Sequence, residues 1–210
     1  MEPMTTTGYS DRINHALAFA AKHHDQEVRK GTRLPYFTAP ANAAVILTRY
    51  GQDDVTVVAA ILHETVEDYL RDGMSEDAVR YRLEDKFGAE VVTAALGAVR
   101  RRVDDDGVEL SHEEQKLDHL DRIAGTSDQS RWVLAAHEVH DGSMLLTDLR
   151  RTAFPDAVWR RFAEGQEAKV RWYRQVCDRL DAVGFAGEIM HELRGVAEAL
   201  ESHAESRVLR

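Results

Sequence analysis

The chain has 210 residues, 43% hydrophobic and 30% charged, which is enough apolar material for one compact core and too little length for two ordinary domains. Its 27 Lys and Arg against 37 Asp and Glu leave a net charge of −10, which disfavours the basic face that a nucleic-acid backbone requires. A single Cys, Cys177, rules out an internal disulfide framework and fits a cytoplasmic setting; Met1 to Ser10 lacks the order of a signal peptide, and no stretch approaches the roughly 18 apolar residues of a membrane span.

Helical periodicity dominates, strand alternation is nearly absent, and an all-α fold follows. Ser10 caps a first helix carrying Ile13, Leu17, Ala20 and Ala21 to about His24, followed by a loop to Tyr36. Pro40 opens a second helix ending at Tyr50-Gly51, and Asp53-Asp54 begins a third that runs to about Tyr69. Ser75 starts a fourth helix ending near Phe87-Gly88, and Glu90 to Arg102 reads as a fifth. Asp104 to Gly107 is a surface loop, Ser111 with Glu114 forms a capping box for a helix to about Ile123, and Asp128 begins another toward Asp141. Further helices follow Pro155, Gly165 and Gly187. Residues 1–210 are expected to form one domain, with a core of about 11–182 and a helical extension over 183–210 whose last part, from Ala197, frays.

The third helix is apolar almost all round from Val57 to Leu62 and then runs into His63-Glu64-Thr65-Val66-Glu67-Asp68. His63 and Glu67 lie four apart on one face, so an imidazole and three carboxylates crowd a mostly buried helix end. An unpaired buried charge costs several kcal/mol, and a divalent cation resolves the crowding. The alternative is a solvated last turn in which a neighbouring carboxylate satisfies His63, although acidic groups there oppose the helix dipole. A second apolar run, Trp132 to Ala136, delivers His137-Glu138-Val139-His140-Asp141. It does not match the zinc-protease pattern H-E-x-x-H, because Asp141 stands where the second His would be. Arg29-Lys30-Gly31-Thr32 offers two adjacent cations beside a glycine loop, suited to gripping a phosphate, or simply a solvated basic pair.

Taken in order, His24, Arg29-Lys30-Gly31-Thr32, Pro35-Tyr36, Pro40, Ala59-Ala60-Ile61-Leu62-His63, Val66-Glu67-Asp68, Phe87-Gly88, Ala135-Ala136 and Trp159-Arg160-Arg161-Phe162 through Trp172-Tyr173 resemble the HD-domain hydrolases of the RelA/SpoT type, particularly the small alarmone hydrolases. The resemblance implies an HD-domain helical bundle. It implies a divalent cation, commonly manganese in the family, held by a motif His, a His-Asp pair and a distant Asp. Here those positions are Ala39, His63-Glu64 and His137, and an Asn four residues on becomes Asp141, with Ser143 two further on in place of an Arg. His63, Glu64 and His137 then form a two-His, one-carboxylate metal set, which suits zinc or iron, with His24 or His140 as a compensating ligand. Glu67 and Asp68 match the family's catalytic Glu-Asp pair, while Arg29, Lys30, Tyr36 and Asp141 fall to substrate binding. Two functions follow from the resemblance: a metal-dependent phosphohydrolase or pyrophosphohydrolase on a nucleotide, related to those cleaving guanosine 3′,5′-bis(diphosphate), or a degenerate, metal-free descendant that binds a nucleotide or a protein partner without hydrolysis. In either case the partner is a nucleotide or other phosphorylated small molecule, with no nucleic acid and no membrane.

Overall fold

A computed structural model describes residues 9–29 and 31–208. Its α-helices are α1 (Asp11–His23), α2 (Thr38–Arg49), α3 (Asp54–Arg71), α4 (Glu76–Phe87), α5 (Ala89–Ala98), α6 (His112–Arg122), α7 (Asp128–Arg151), α8 (Pro155–Trp159), α9 (Gly165–Ala182) and α10 (Ile189–Val208), with a 3-10 turn at Ile123–Gly125. Among the described residues, extended pairing is confined to two isolated antiparallel bridges, Val28 with Pro35 and Val103 with Glu109. No helix of the described residues is long and apolar enough to cross a membrane.

Side-chain caps set the helix starts. Ser10, Asp53, Ser75, Ser111 and Ser127 each accept a backbone N–H from the first turn, and Ser111 with Glu114 completes the expected capping box. The apolar run of α3 is enclosed on every side, since α1, α2, α5 and α7 all pack on it and Val58 to Leu62 have no exposed surface. That enclosure carries the polar end of α3 into the interior instead of leaving it in solvent.

Four boundaries differ from the sequence reading. α2 begins at Thr38, so Pro40 stands within the first turn, where the missing N–H has no intrahelical acceptor to lose. α5 stops at Ala98 and not at Arg102: Val99 turns extended, and Arg100, Arg101 and Arg102 leave the helix to meet Glu67, Asp118 and Glu109. α7 does not end near Asp141 but continues ten residues further, through Gly142. A Cβ at Gly142 would lie 2.2 Å from Val196 Cγ1 and 2.9 Å from the Tyr173 ring, so glycine there admits α9 and α10 against α7. Ala197 and Leu200 are consequently buried, and the stretch expected to fray from Ala197 is helical to Val208.

Candidate active site

α3 and α7 cross so that His63, Glu64 and His137 meet. The rings of His63 and His137 stack with centroids 3.9 Å apart, and one ligand atom from each of the three residues lies within 4.8 Å of the others. His137 Nε2 faces the Ala60 carbonyl at 3.0 Å and His63 Nε2 faces the Ala98 carbonyl at 3.3 Å. A carbonyl only accepts, so each Nε2 carries a hydrogen and each Nδ1 is left to turn toward Glu64. Both Nδ1 atoms face the same oxygen, Glu64 Oε1, at 3.3 Å from His137 and 3.8 Å from His63. His63 Nδ1 is buried without a hydrogen-bond partner. Two imidazole nitrogens and one carboxylate oxygen thus converge within 4.8 Å, a spacing that could also seat a cation.

The remaining groups support this orientation. The Tyr36 hydroxyl donates to Glu64 Oε2 at 2.6 Å, leaving Oε1 to the histidines. Burial, then Glu64, raise the Tyr36 phenol well above its ordinary pKa, so it remains a donor. Burial alone would raise the Glu64 carboxyl, but His137 and His63 outweigh it and hold Glu64 well below the usual carboxylate range. Burial likewise opposes a charge on His63, and Glu64, Glu67 and the Ala98 carbonyl more than compensate, raising it. The opposite shifts of Glu64 and His63 share one cause: the buried carboxylate and its imidazole neighbours stabilise the charged form of one another.

This group sits in an inner chamber of about 60 Å³, room for an ion with water, which Ala98, His119, Leu134 and Trp172 help to wall. Burial, with Arg122 and Arg100 adding repulsion, pushes His119 down to about 3, so it is a neutral wall residue. Glu64, Glu67, Arg100 and Asp141 also line an adjoining outer cavity of about 330 Å³, together with Arg29, Tyr36, Ala39, His140 and Arg161. The loop carrying Arg29 and Tyr36 is pinned at its root, where Tyr36 N–H donates to the Glu27 carbonyl at 2.9 Å and Arg29 N–H to that of Leu34 at 2.9 Å. Its turn at Gly31 (φ +80°) lies against the Arg161 guanidinium, which a Cβ would meet at 2.4 Å. Arg29 Nη1 is buried and has no partner.

The expected metal set is therefore brought together, and Glu67, Arg29, Tyr36 and Asp141 line the cleft. Lys30 lies outside the described residues. Tyr36, expected to bind substrate, donates its hydroxyl to Glu64 while lining the outer cavity. Asp68 lines neither cavity: one turn beyond Glu64, it reaches α1, with Oδ2 3.1 Å from His23 Nε2 and Oδ1 2.6 Å from Arg71. His24, expected as a ligand compensating for the loss at Ala39, instead joins Asp68 and Glu27, apart from the His63–Glu64–His137 group. His140 lines the outer cavity and stands apart from the metal set. Sequence reasoning passed over Arg100, which pairs with Glu67 at 3.4 Å, and Glu138, whose carboxylate accepts the Trp172 indole N–H at 2.7 Å. Their signals, an arginine triplet and a Glu beside His137, are indistinguishable from surface polarity without the fold.

The HD-domain family model matches residues 16–140, more than half of the chain. The chain belongs to the HD-domain family. Among relatives of this HD domain, a guanosine-3′,5′-bis(diphosphate) 3′-pyrophosphohydrolase of Aquifex aeolicus is 32% identical over 92 residues, 44% of this chain and 12% of that protein. A GTP pyrophosphokinase of Myxococcus xanthus is 29% identical over 113 residues, 54% of this chain and 14% of that protein. The HD domain thus spans about an eighth of these relatives' lengths. Among solved structures, a metazoan ortholog of SpoT that hydrolyzes ppGpp superposes with a TM-score of 0.68 at 23% identity, covering 91% of this chain and 96% of that one. A Listeria monocytogenes protein gives 0.61 at 20% identity, over 76% and 96%. The shared helical bundle agrees with the all-α expectation.

Proposed function

We propose that this chain is a metal-dependent phosphohydrolase acting on a phosphorylated nucleotide, of the class to which the guanosine 3′,5′-bis(diphosphate) 3′-pyrophosphohydrolases belong. The observation that carries the reading is the convergence of His63 Nδ1, His137 Nδ1 and Glu64 Oε1 beside a cleft lined by Arg29, whose buried Nη1 has no partner. Two imidazoles and one carboxylate suit Zn²⁺ or Fe²⁺ better than the manganese usual in the family, and leave coordination positions open. When bound, such an ion acidifies a water and neutralises phosphoryl oxygens. Tyr36 fixes which Glu64 oxygen is free. Glu67, half-buried at the junction of the two cavities, is the carboxylate available to take a proton there, with Arg100 holding its position. Arg29 and Arg161 provide cationic donors for substrate phosphates, and Asp141 faces the same space from α7.

A second reading is a pocket that binds a nucleotide without turnover. It is favoured by Ala39 at the cavity wall, where a ligand would be missing, and by Asp68 being directed away from the cleft. Elemental analysis of chain purified without added metal, followed by hydrolysis of a nucleotide panel with Mn²⁺, Zn²⁺ and Fe²⁺, separates the two. Bound metal that disappears in His63→Ala, together with release of phosphate or pyrophosphate, supports the enzyme. Saturable nucleotide binding lost in Arg29→Ala, with no turnover under any metal, supports the binder.

A further inference from the structure

The other cluster of ligating side chains lies outside the cleft, where the end of α1 meets α3. We propose that His23, His24, Glu27 and Asp68 form a second divalent-cation site, of zinc type, which clamps the root of the Arg29–Tyr36 loop to α3.

The four candidate ligand atoms lie within 4.8 Å of one another. Their near contacts are His23 Nε2 to Asp68 Oδ2 at 3.1 Å, His24 Nδ1 to Glu27 Oε2 at 3.2 Å and His24 Nδ1 to Asp68 Oδ2 at 3.6 Å. With zinc–ligand bonds of about 2.0–2.1 Å, the edges of a coordination tetrahedron are about 3.3–3.4 Å, and these three contacts, two of which also have hydrogen-bond geometry, lie close to three of its six edges. Its outer shell is present too. Asp68 keeps Oδ1 on Arg71 while Oδ2 turns inward, and the second nitrogen of His24, Nε2, meets the Thr65 hydroxyl at 3.4 Å. Ligating imidazoles and carboxylates are ordinarily anchored in this way through their other polar atom. His24 and Asp68 are buried, whereas the side chains of His23 and Glu27 are 23% and 42% exposed, so the site is closed toward the core and open to solvent for entry.

The location gives the ion a purpose. The Glu27 backbone carbonyl accepts the Tyr36 N–H, and the His24 ring packs 5.0 Å from that of Tyr36. An ion held by Glu27 and His24 therefore fixes the position of the tyrosine that orients Glu64. The inference does not rest on hydrolysis, and none of the four residues lines the cleft.

Zn²⁺ titration of the metal-stripped full chain tests it, in the wild type and in His23→Ala, Glu27→Gln, Thr65→Val and His137→Ala, with Co²⁺ absorption reporting tetrahedral geometry. The conservative Glu27→Gln keeps the side-chain shape should His23→Ala fold poorly. Expected are a tetrahedral Co²⁺ signal and a Zn²⁺ equivalent that survive His137→Ala but weaken more than tenfold in His23→Ala and Glu27→Gln, with the outer-shell Thr65→Val losing about 10–100-fold. If that equivalent is lost in His23→Ala and Glu27→Gln while no metal responds to His137→Ala, this site stands and the cleft metal falls. Equal Zn²⁺ affinity and stoichiometry in wild type, His23→Ala and Glu27→Gln would overturn the proposal, as would loss of all bound metal in His137→Ala.

Discussion

Tyr36→Phe isolates the one hydrogen bond that orients the candidate metal carboxylate. The phenol donates to Glu64 Oε2 at 2.6 Å, and Glu64 is almost fully buried, so the bond is shielded from bulk solvent. A hydrogen bond to a charged group contributes about 1.5–3 kcal/mol. Outer-shell partners of metal ligands independently change affinity by about 10–100-fold, which is roughly 1.4–2.8 kcal/mol. The two estimates overlap, and both predict a Zn²⁺ affinity at the His63–Glu64–His137 group weakened by about 10–100-fold with the fold retained. Because Tyr36 is raised above its ordinary pKa, its donor persists at every neutral or mildly alkaline pH, and the weakening should not vary with pH between about 6 and 9 on its account. The assay is competition against a chromophoric chelator in a His23→Ala background, so that only the cleft is counted, with circular dichroism as a control for folding. An unchanged affinity in Tyr36→Phe, beside a lost one in His63→Ala, would refute the role given to the tyrosine.

Other outcomes follow from the same contacts. Gly142→Ala places a Cβ 2.2 Å from Val196 and 2.9 Å from Tyr173, and overpacking should lower stability by about 1–3 kcal/mol, less whatever helix propensity returns. Gly195→Ala, where a Cβ meets nothing within 4 Å, should raise stability by up to about 1 kcal/mol; denaturant midpoints compare the two. Arg29→Ala removes a guanidinium whose Nη1 has no protein partner, so its melting temperature should be near wild type while nucleotide binding weakens about 10–100-fold by calorimetry. Burial acts to raise the Asp118 carboxyl, but hydrogen bonds from Arg101 and Arg122 prevail and hold it below its ordinary value. A lowered folded-state pKa contributes stability above the unfolded value near 4 that disappears as pH falls through the folded one. Asp118→Asn should therefore cost roughly 1 kcal/mol at pH 7, after allowance for solvent screening, and the cost should shrink in acid, as urea melts at pH 7 and pH 3 would report.

The sequence carried the helix starts well because Ser10, Ser75 and Ser111 cap locally, and a local hydrogen bond needs no tertiary partner. The apolar runs that end in His63 and in His137 marked the two polar clusters, and the family resemblance singled out His63, Glu64 and His137 among them. Helix ends were less legible. The run Val99 to Arg102 has helix-compatible residues, and only the distant carboxylates of Glu67, Asp118 and Glu109 draw the three arginines out of it. The helix expected to end near Asp141 continues because Gly142 acts as a notch for Val196 and Tyr173, which lie far along the chain. The treatment of Glu67 and Asp68 as one catalytic pair shows a different difficulty. Adjacent helical residues point about 100° apart, so of the two only Glu67 lines the cleft, while Asp68 meets α1.

The replacements at the metal positions also change the charge that a substrate would meet. In the arrangement the family resemblance implies, two Asp ligands neutralise a divalent ion, whereas His63, Glu64 and His137 provide one negative charge and would leave the loaded group with a net positive one. A site of that charge attracts phosphoryl oxygens more strongly, which offsets the lost hold on the ion. The cleft around it is balanced: Glu67, Asp141 and Asp148 share its walls with Arg29, Arg100 and Arg161, and Asp148 already holds Arg161 at 2.7 Å. Exchange of Asp141 for Asn would remove the acid that repels phosphate nearest His137, without touching a metal ligand. Nucleotide affinity of Asp141→Asn should consequently rise severalfold at low salt, with the gain fading as ionic strength screens it. A fall in affinity at low salt would mean that Asp141 contacts the ligand directly or serves the metal, and the charge account of the cleft would then be wrong.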